Sequence, residues 1–233
     1  MPAPHLLEVA KLSHCYDSLG ARGRRIEFPD FTLDAGAMLL LRGASGSGKS
    51  TLLQRLAGAR TSSADVFDST RISLRGQNIL ALSQAQRDAL RPTTIGWIPQ
   101  RVHLLNSLNV IDNIVLPIAL SVGSKAMLRQ RALELLERAG LSALVSAKST
   151  ELSVGQAARC CVIRALIAQP KLLLADEPSA ALDSQSAQAI AQLLCDFCSA
   201  GGGLIVATHD EPFQQQLRSH CATAPADIEL SAA

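Results

Sequence analysis

The sequence predicts an α/β fold with parallel strands at its centre. Three observations support this. Short, wholly apolar runs at Met38–Leu41, Leu172–Ala175 and Leu204–Ala207 read as strands buried on both faces. Segments of helical period alternate with them. Hydrophobic residues make up 48% of 233 positions, enough to build a substantial core.

In chain order, Leu6–Leu12 and Ile26–Leu33 read as strands in an antiparallel arrangement. Met38–Leu41 runs into the glycine-rich turn Gly43–Gly48, and a helix follows over Lys49–Ala57 with Gly58 as its stop. Arg71–Leu74 and Gln77–Leu80 flank a hairpin-like break at Arg75-Gly76. Ser83 is placed to cap a short helix ending before Pro92, and Thr94–Pro99 reads as a strand. Lys125–Ala139 sets Leu128, Ala132, Leu135, Leu136 and Ala139 on one helical face and ends at Gly140. A helix over Gln156–Ala168 ends by Pro170. The strand Leu172–Ala175, a helix over Ser184–Ser199, the break Gly201–Gly203 and the strand Leu204–Ala207 then repeat the β–α–β rhythm. No repeat and no long linker divides the chain, so residues 1–233 read as one domain.

Composition excludes several roles. The 22 basic and 20 acidic residues leave a net charge of +2, which gives no general attraction to nucleic acid or anionic lipid. The most apolar stretch, Val110–Val122, contains Asp112 and Asn113 and is shorter than the roughly 20 apolar residues of a bilayer span. Met1–Leu12 lacks the basic and apolar regions of a secretory signal. Six cysteines (Cys15, Cys160, Cys161, Cys195, Cys198 and Cys221) show no disulfide-framework spacing and fit a reducing cytosol.

Two motifs carry chemistry. Gly43-Ala44-Ser45-Gly46-Ser47-Gly48-Lys49-Ser50 matches the phosphate-loop pattern, lies between a strand and a helix, and is followed by Thr51. Its glycines admit close approach of backbone N–H groups to phosphates, and the helix N-terminus adds its positive dipole. In that setting Lys49 bridges β- and γ-phosphates and Ser50 coordinates Mg²⁺. Leu172–Ala175 leads into Asp176 and Glu177, two carboxylates at the end of a strand buried on both faces. Asp176 suits a Mg²⁺ contact through water, and Glu177 suits the general base that polarises an attacking water.

Leu152-Ser153-Val154-Gly155-Gln156, ahead of a helix and of that strand, makes the chain resemble the nucleotide-binding subunits of ABC transporters, whose signature is usually LSGGQ. Gln100 matches the Q-loop glutamine, Ala181-Leu182-Asp183 the D-loop, and His209 the switch histidine. The resemblance implies a P-loop NTPase (RecA-like) core, about residues 1–100 and 159–233, with an N-terminal antiparallel β region and an inserted helical subdomain over about 101–158. It implies ATP and Mg²⁺ as cofactors. Glu177, His209, Lys49 and Gln100 become the catalytic candidates, and Ser50, Gln100 and Asp176 the metal candidates. Ser153, Gly155, Gln156 and Asp183 join the phosphate loop in nucleotide binding. The family further implies a head-to-tail homodimer in the ATP-bound state, integral-membrane permease subunits as partners, no nucleic acid, and a peripheral place on the cytoplasmic face of the inner or plasma membrane.

The sequence departs from that pattern at Val154, where the family has glycine. This β-branched residue either crowds the γ-phosphate or points away from it. Ala157 and Ala158 replace residues that are commonly polar in the family, and the tail after Asp210 lacks the usual charged, glycine-containing hairpin. Tyr16 stands where the family places an adenine-stacking aromatic; its bland alternative is a half-buried strand-end tyrosine. His209 alternatively caps a helix, and His5, His14, His103 and His220 read as surface residues. Cys195 and Cys198 share a helical face, so core packing competes with a redox or zinc pair, and packing is the better reading. Cys160 and Cys161 read as small hydrophobes.

Within the family, Leu104–Pro117 resembles the segment after the Q-loop of the lipoprotein-release and macrolide-export ATPases. A DNA-repair or chromosome ATPase would carry a long coiled coil where only residues 101–151 lie. A ribosome-acting relative would carry two cassettes. A P-loop kinase would need neither the signature nor the switch histidine.

Overall fold

The computed structural model describes residues 5–16, 24–59, 70–119 and 125–230. Residues 1–4 of the N-terminal stretch and 120–122 of the apolar stretch lie outside them.

Two sheets and a helical layer organise the chain. An antiparallel sheet runs in the order β4 (Phe31–Leu33), β1 (Leu7–Ala10), β6 (Arg71–Leu74), β7 (Gln77–Asn78). A hairpin pairs β2 (Ser13–Cys15) with β3 (Arg25–Glu27). The central parallel sheet runs in the order β11 (Ala226–Glu229), β5 (Met38–Arg42), β10 (Gly203–Ala207), β9 (Leu172–Asp176), β8 (Ile95–Ile98).

The apolar runs explain this centre. Strand side chains alternate between faces, and a strand covered on both sides must be apolar throughout. Met38, Leu40, Leu173, Ala175, Leu204 and Val206 pack to one side with the helices. Leu39, Leu41, Leu172, Leu174, Ile205 and Ala207 pack to the other. That second side is covered by α1 (Lys49–Leu56) and the antiparallel sheet. The first is covered by α3 (Val110–Ala119), α4 (Lys125–Arg138), α5 (Val154–Leu166), α6 (Ser184–Ser199) and α7 (Glu211–His220). Ile111, Ile114, Ala132 and Leu136 share one continuous cluster with Leu173, and α5 runs through residues 158 and 159 without a break.

Four expectations are corrected. Ile26–Leu33 forms two strands, β3 and β4, because the chain breaks at Pro29-Asp30, where the Asp30 carboxylate accepts the Lys11 amide at 2.6 Å. Ser83 caps α2 (Gln84–Thr94) through a capping box, but this helix continues through Pro92 and hands directly to β8. His14 is buried, not superficial; its ring meets Tyr16 edge-on, with centroids 4.7 Å apart. Cys195 and Cys221 form a disulfide, Cα to Cα 5.0 Å, because α6 and α7 pack side by side and bring the end of α7 onto the buried face of α6. Cys160, Cys161 and Cys198 are buried thiols outside that bond. Among the described residues no helix is long and apolar enough to cross a membrane.

Candidate functional site

β5, β10, β9 and β8 run parallel with their carboxyl ends level. Ala207 stands opposite both Leu41 and Asp176, and Ala175 opposite Ile98. Every turn leaving those ends therefore opens on one edge of the sheet, where α/β folds bind ligands. There an open cleft of about 500 Å³ gathers Tyr16, Gly43, Ala44, Ser45, Gly46, Gly48, Lys49, Ser50, Thr51, Gln100, Asp176, Glu177 and His209. Ser47 lies beneath the loop, 1% exposed.

The loop geometry requires its glycines. Gly43 sits at φ +137°, and a Cβ there would lie 2.5 Å from the Leu230 carbonyl oxygen and 2.7 Å from Ser47 Oγ. Gly48 sits at φ +98°, against Ile26 and Phe28. Lys49 Nζ donates to the Gly43 carbonyl at 2.7 Å and the Ala44 carbonyl at 3.1 Å, so the cation spans the mouth of the loop. The Tyr16 hydroxyl hydrogen-bonds the Thr51 hydroxyl, which fixes the ring at the rim.

Asp176 is 5% exposed. Burial pushes its carboxyl up from the usual range and Glu177 adds to this, while a hydrogen bond from Ser50 and the charge of Lys49 oppose it. Glu177 holds a left-handed backbone at φ +49°, a conformation a non-glycine residue keeps only when its surroundings enforce it. Its amide donates to the Ala207 carbonyl at 2.8 Å. Its carboxylate accepts the His209 backbone amide at 3.3 Å and meets His209 Nδ1 at 2.7 Å. The His209 ring itself stands largely in solvent.

Ser50, Asp176 and Gln100, which carry hydroxyl, carboxylate and amide oxygens, line this cleft. Hard oxygen donors of this kind fit Mg²⁺, which takes few protein ligands and completes its shell with water and phosphate.

None of Ser153, Gly155, Gln156 or Asp183 lines the cleft. Ser153 caps α5: its Oγ accepts the Gln156 amide at 3.2 Å, and the Gln156 side chain accepts the Ser153 amide at 2.9 Å. Ser-x-x-Gln is thus also a capping box. Gly155 packs on α6, and a Cβ there would lie 2.2 Å from Ser186 Oγ. Asp183 caps α6, accepting the Ser186 amide at 2.8 Å and the Ser186 hydroxyl at 2.9 Å, and these bonds hold its carboxyl below the usual range. Val154 is 61% exposed.

Two polar residues escaped the sequence reading. Ser179 Oγ donates to Asp210 at 2.7 Å, tying the turn after Glu177 to the N-cap of α7. The buried Asn113 side chain holds the backbone of Leu105, Leu108 and Asn109 and so shapes the segment after Gln100. Asp210-Glu-Pro was the available signal for the first, and an asparagine inside an apolar helix for the second.

The family model described as "ABC transporter" matches residues 27–180. The chain belongs to the ABC transporter family. That membership makes it an ATP-hydrolysing subunit, and the relatives support the lipoprotein-release and macrolide-export branch. It is 36% identical over 189 residues to the lipoprotein-releasing system ATP-binding protein LolD of Xanthomonas axonopodis pv. citri, covering 81% of this chain and 75% of that one. It is 35% identical over 211 residues to the macrolide export ATP-binding/permease protein MacB of Photorhabdus laumondii, covering 91% of this chain but 32% of that larger protein. Its fold superposes on the dimeric, post-hydrolysis structure of the ATP-binding cassette MJ0796 bound to ADP and Pi, with a TM-score of 0.82 and 26% identity over 96% of this chain and 94% of that one.

Proposed function

We propose that this cassette hydrolyses Mg²⁺-ATP as a head-to-tail homodimer and energises separate integral-membrane permease subunits for export or for mechanical work outside the membrane. This reading places it at the cytoplasmic face of the inner or plasma membrane, held there through those subunits. The observation that carries it is the separation of two half-sites. Phosphate loop, carboxylates and switch histidine converge in one cleft, while Ser153, Gly155 and Gln156 form a helix start outside it. A second copy brings that helix start to the nucleotide, its positive end and free amides facing the γ-phosphate.

Within the cleft the roles follow from geometry. Lys49 leaves the Gly43 and Ala44 carbonyls for the β- and γ-phosphates. Tyr16, at the rim, offers its ring to the adenine. Ser50, Asp176 and Gln100 would hold the Mg²⁺, which would supply positive charge to the phosphates. Glu177, oriented by the amide and ring of His209, takes the proton from the attacking water. His209 then offers its exposed ring to the transferred phosphoryl group.

The test is Glu177→Gln, which keeps shape and removes the base. With ATP and Mg²⁺ the variant is expected to double its mass in light scattering while turnover falls on the order of a hundredfold or more. A variant that hydrolyses at the wild-type rate removes Glu177 from this role, and one that binds ATP yet stays monomeric removes the homodimer.

A further inference from the structure

Two sulfurs that the nucleotide chemistry does not use are covalently joined. Cys195, 1% exposed on the inner face of α6, is bonded to the half-buried Cys221 at the end of α7. We propose that this disulfide is a reversible thiol-exchange site, opened at Cys221 by a low-molecular-weight thiol, that sets how firmly the C-terminal strand braces the phosphate loop.

Access decides which sulfur is attacked. A separate open cleft of about 480 Å³ is lined by Cys221, Ala222, Thr223, Gly36 and Cys198, and Cys195 is not among its lining residues. An incoming thiolate reaches Cys221 Sγ, forms a mixed disulfide there, and displaces Cys195 as a thiolate that takes up a proton. A second thiol attacks the reagent sulfur of that mixed disulfide. It releases Cys221 as a thiol and leaves as the oxidised reagent disulfide, so two thiols are consumed for one protein disulfide opened. Cys198 borders the same cleft but is a poor internal competitor, because burial pushes its thiol up to about 12 and leaves almost no thiolate at neutral pH.

The position of the bond links it to the nucleotide. α7 starts directly after His209 and Asp210 and ends at Cys221. The chain then forms β11, which pairs with β5, and the Leu230 amide donates to the Arg42 carbonyl at 2.9 Å. The Leu230 carbonyl closes on Gly43, the first glycine of the phosphate loop. β11 itself is mostly exposed and contributes little apolar burial. Besides its sheet bonds, it is held by Ile228 and the buried Leu230 against the core, by Arg218, which donates to the Pro225 carbonyl at 3.3 Å and pairs with Asp227 at 2.6 and 2.7 Å, and by the disulfide just upstream. Opening the disulfide removes the one covalent fastening of the segment that backs the loop.

The experiment uses the full chain equilibrated at graded ratios of glutathione to glutathione disulfide, then alkylated under denaturing conditions and counted by mass. Six cysteines minus the two in the bond predict four alkylations at the oxidising end and six at the reducing end, with glutathione trapped on Cys221 between them. Over the same range the Tm is expected to fall by roughly 5–10 °C. ATP affinity is expected to fall by roughly fivefold. Cys221→Ser or Cys221→Ala should behave as reduced at every ratio, and Cys198→Ser should keep the transition. Six alkylations at every ratio, four that resist all glutathione, a glutathione adduct on Cys195 rather than Cys221, or reduction without a change in ATP affinity would each overturn the proposal. The wild-type titration decides the question even if a variant fails to fold.

Discussion

The phosphate loop and the signature segment are both helix starts, yet their surroundings differ. At Lys49 the loop, the Asp176-Glu177 pair and His209 come from three places in one chain and already face one cleft. At Ser153 the polar contacts are the helix's own, the cap and the capping-box glutamine, and Gly155 seats against Ser186 of α6. The first region is organised around a ligand. The second is organised around its own helix, with its outermost amides and Val154 turned to solvent. The difference teaches that a motif can be locally complete and chemically half-made, and it separates what each substitution should do.

The largest expected effect is at Lys49. Lys49→Ala removes the cation that bridges the loop, so ATP binding and phosphate release should fall on the order of a hundredfold or more. Equilibrium nucleotide binding beside turnover measures this. Retained tight binding would mean that the cleft is not the primary nucleotide site, and the contrast between the two regions would collapse.

Gly155→Ala probes the other side. Its Cβ would enter Ser186, 2.2 Å from Oγ and 2.8 Å from Cβ, and both atoms are held by the Asp183 cap. The expected cost is about 1–3 kcal/mol of stability, with turnover reduced because α5 is pushed off α6. Ser186→Gly in the same chain should restore most of both. A stable Gly155→Ala variant without that second change would show that the helix start is looser than its packing.

Much of the cleft was legible because its signals are local. Gly43–Ser50 is a contiguous pattern between a strand and a helix, and Asp176-Glu177 terminates a run too apolar to be anything but a covered strand. His209 enters the site only through the family resemblance, and its contact with Glu177, 32 residues away, has no local signal in the sequence. The disulfide was missed for a related reason. Helical spacing pairs Cys195 with Cys198, whereas the actual partner, Cys221, arrives on the neighbouring helix α7, and no sequence period encodes that packing. β11 was unread because Ala226–Glu229 is an edge strand whose exposed, charged residues lack the alternation that marks a half-buried one.

A smaller effect on stability is expected at Asp176, and its sign is opposite to the effect on function. Burial raises this carboxyl, so the folded state binds its proton more tightly than the unfolded state does. Its contribution to stability is full below the unfolded value of 3.8 and is lost as pH rises through the raised folded value. At neutral pH the charged form is a net cost to the nucleotide-free protein. Asp176→Asn should therefore raise the Tm of that state by roughly 2–4 °C while Mg²⁺-dependent turnover is lost. A lower Tm for Asp176→Asn would show that the hydrogen bond with Ser50 outweighs the desolvation.

The smallest effect is expected at Val154, and it bears most directly on the half-made region. Its side chain is 61% exposed, so replacement by glycine removes no core packing. In the proposed dimer the nucleotide-facing donors of this helix start would be the Ser153 hydroxyl and the first free amides; the Gln156 amide is already bound to Ser153 Oγ. Those donors belong to the backbone and to residue 153, so they survive any side chain at 154. Val154→Gly should leave turnover within about twofold of wild type and cost up to about 1 kcal/mol through backbone entropy in the first helical turn. Ser153→Ala is the matched comparison. It removes the cap, at about 1 kcal/mol, and also one of the γ-phosphate donors, so its turnover should fall further than its stability alone accounts for. Steady-state kinetics of the two variants beside thermal melts separate these terms. A several-fold gain in turnover from Val154→Gly, equivalent to roughly 1 kcal/mol in the transition state, would mean that valine crowds the nucleotide across the dimer and that this cassette runs below the rate its other residues permit.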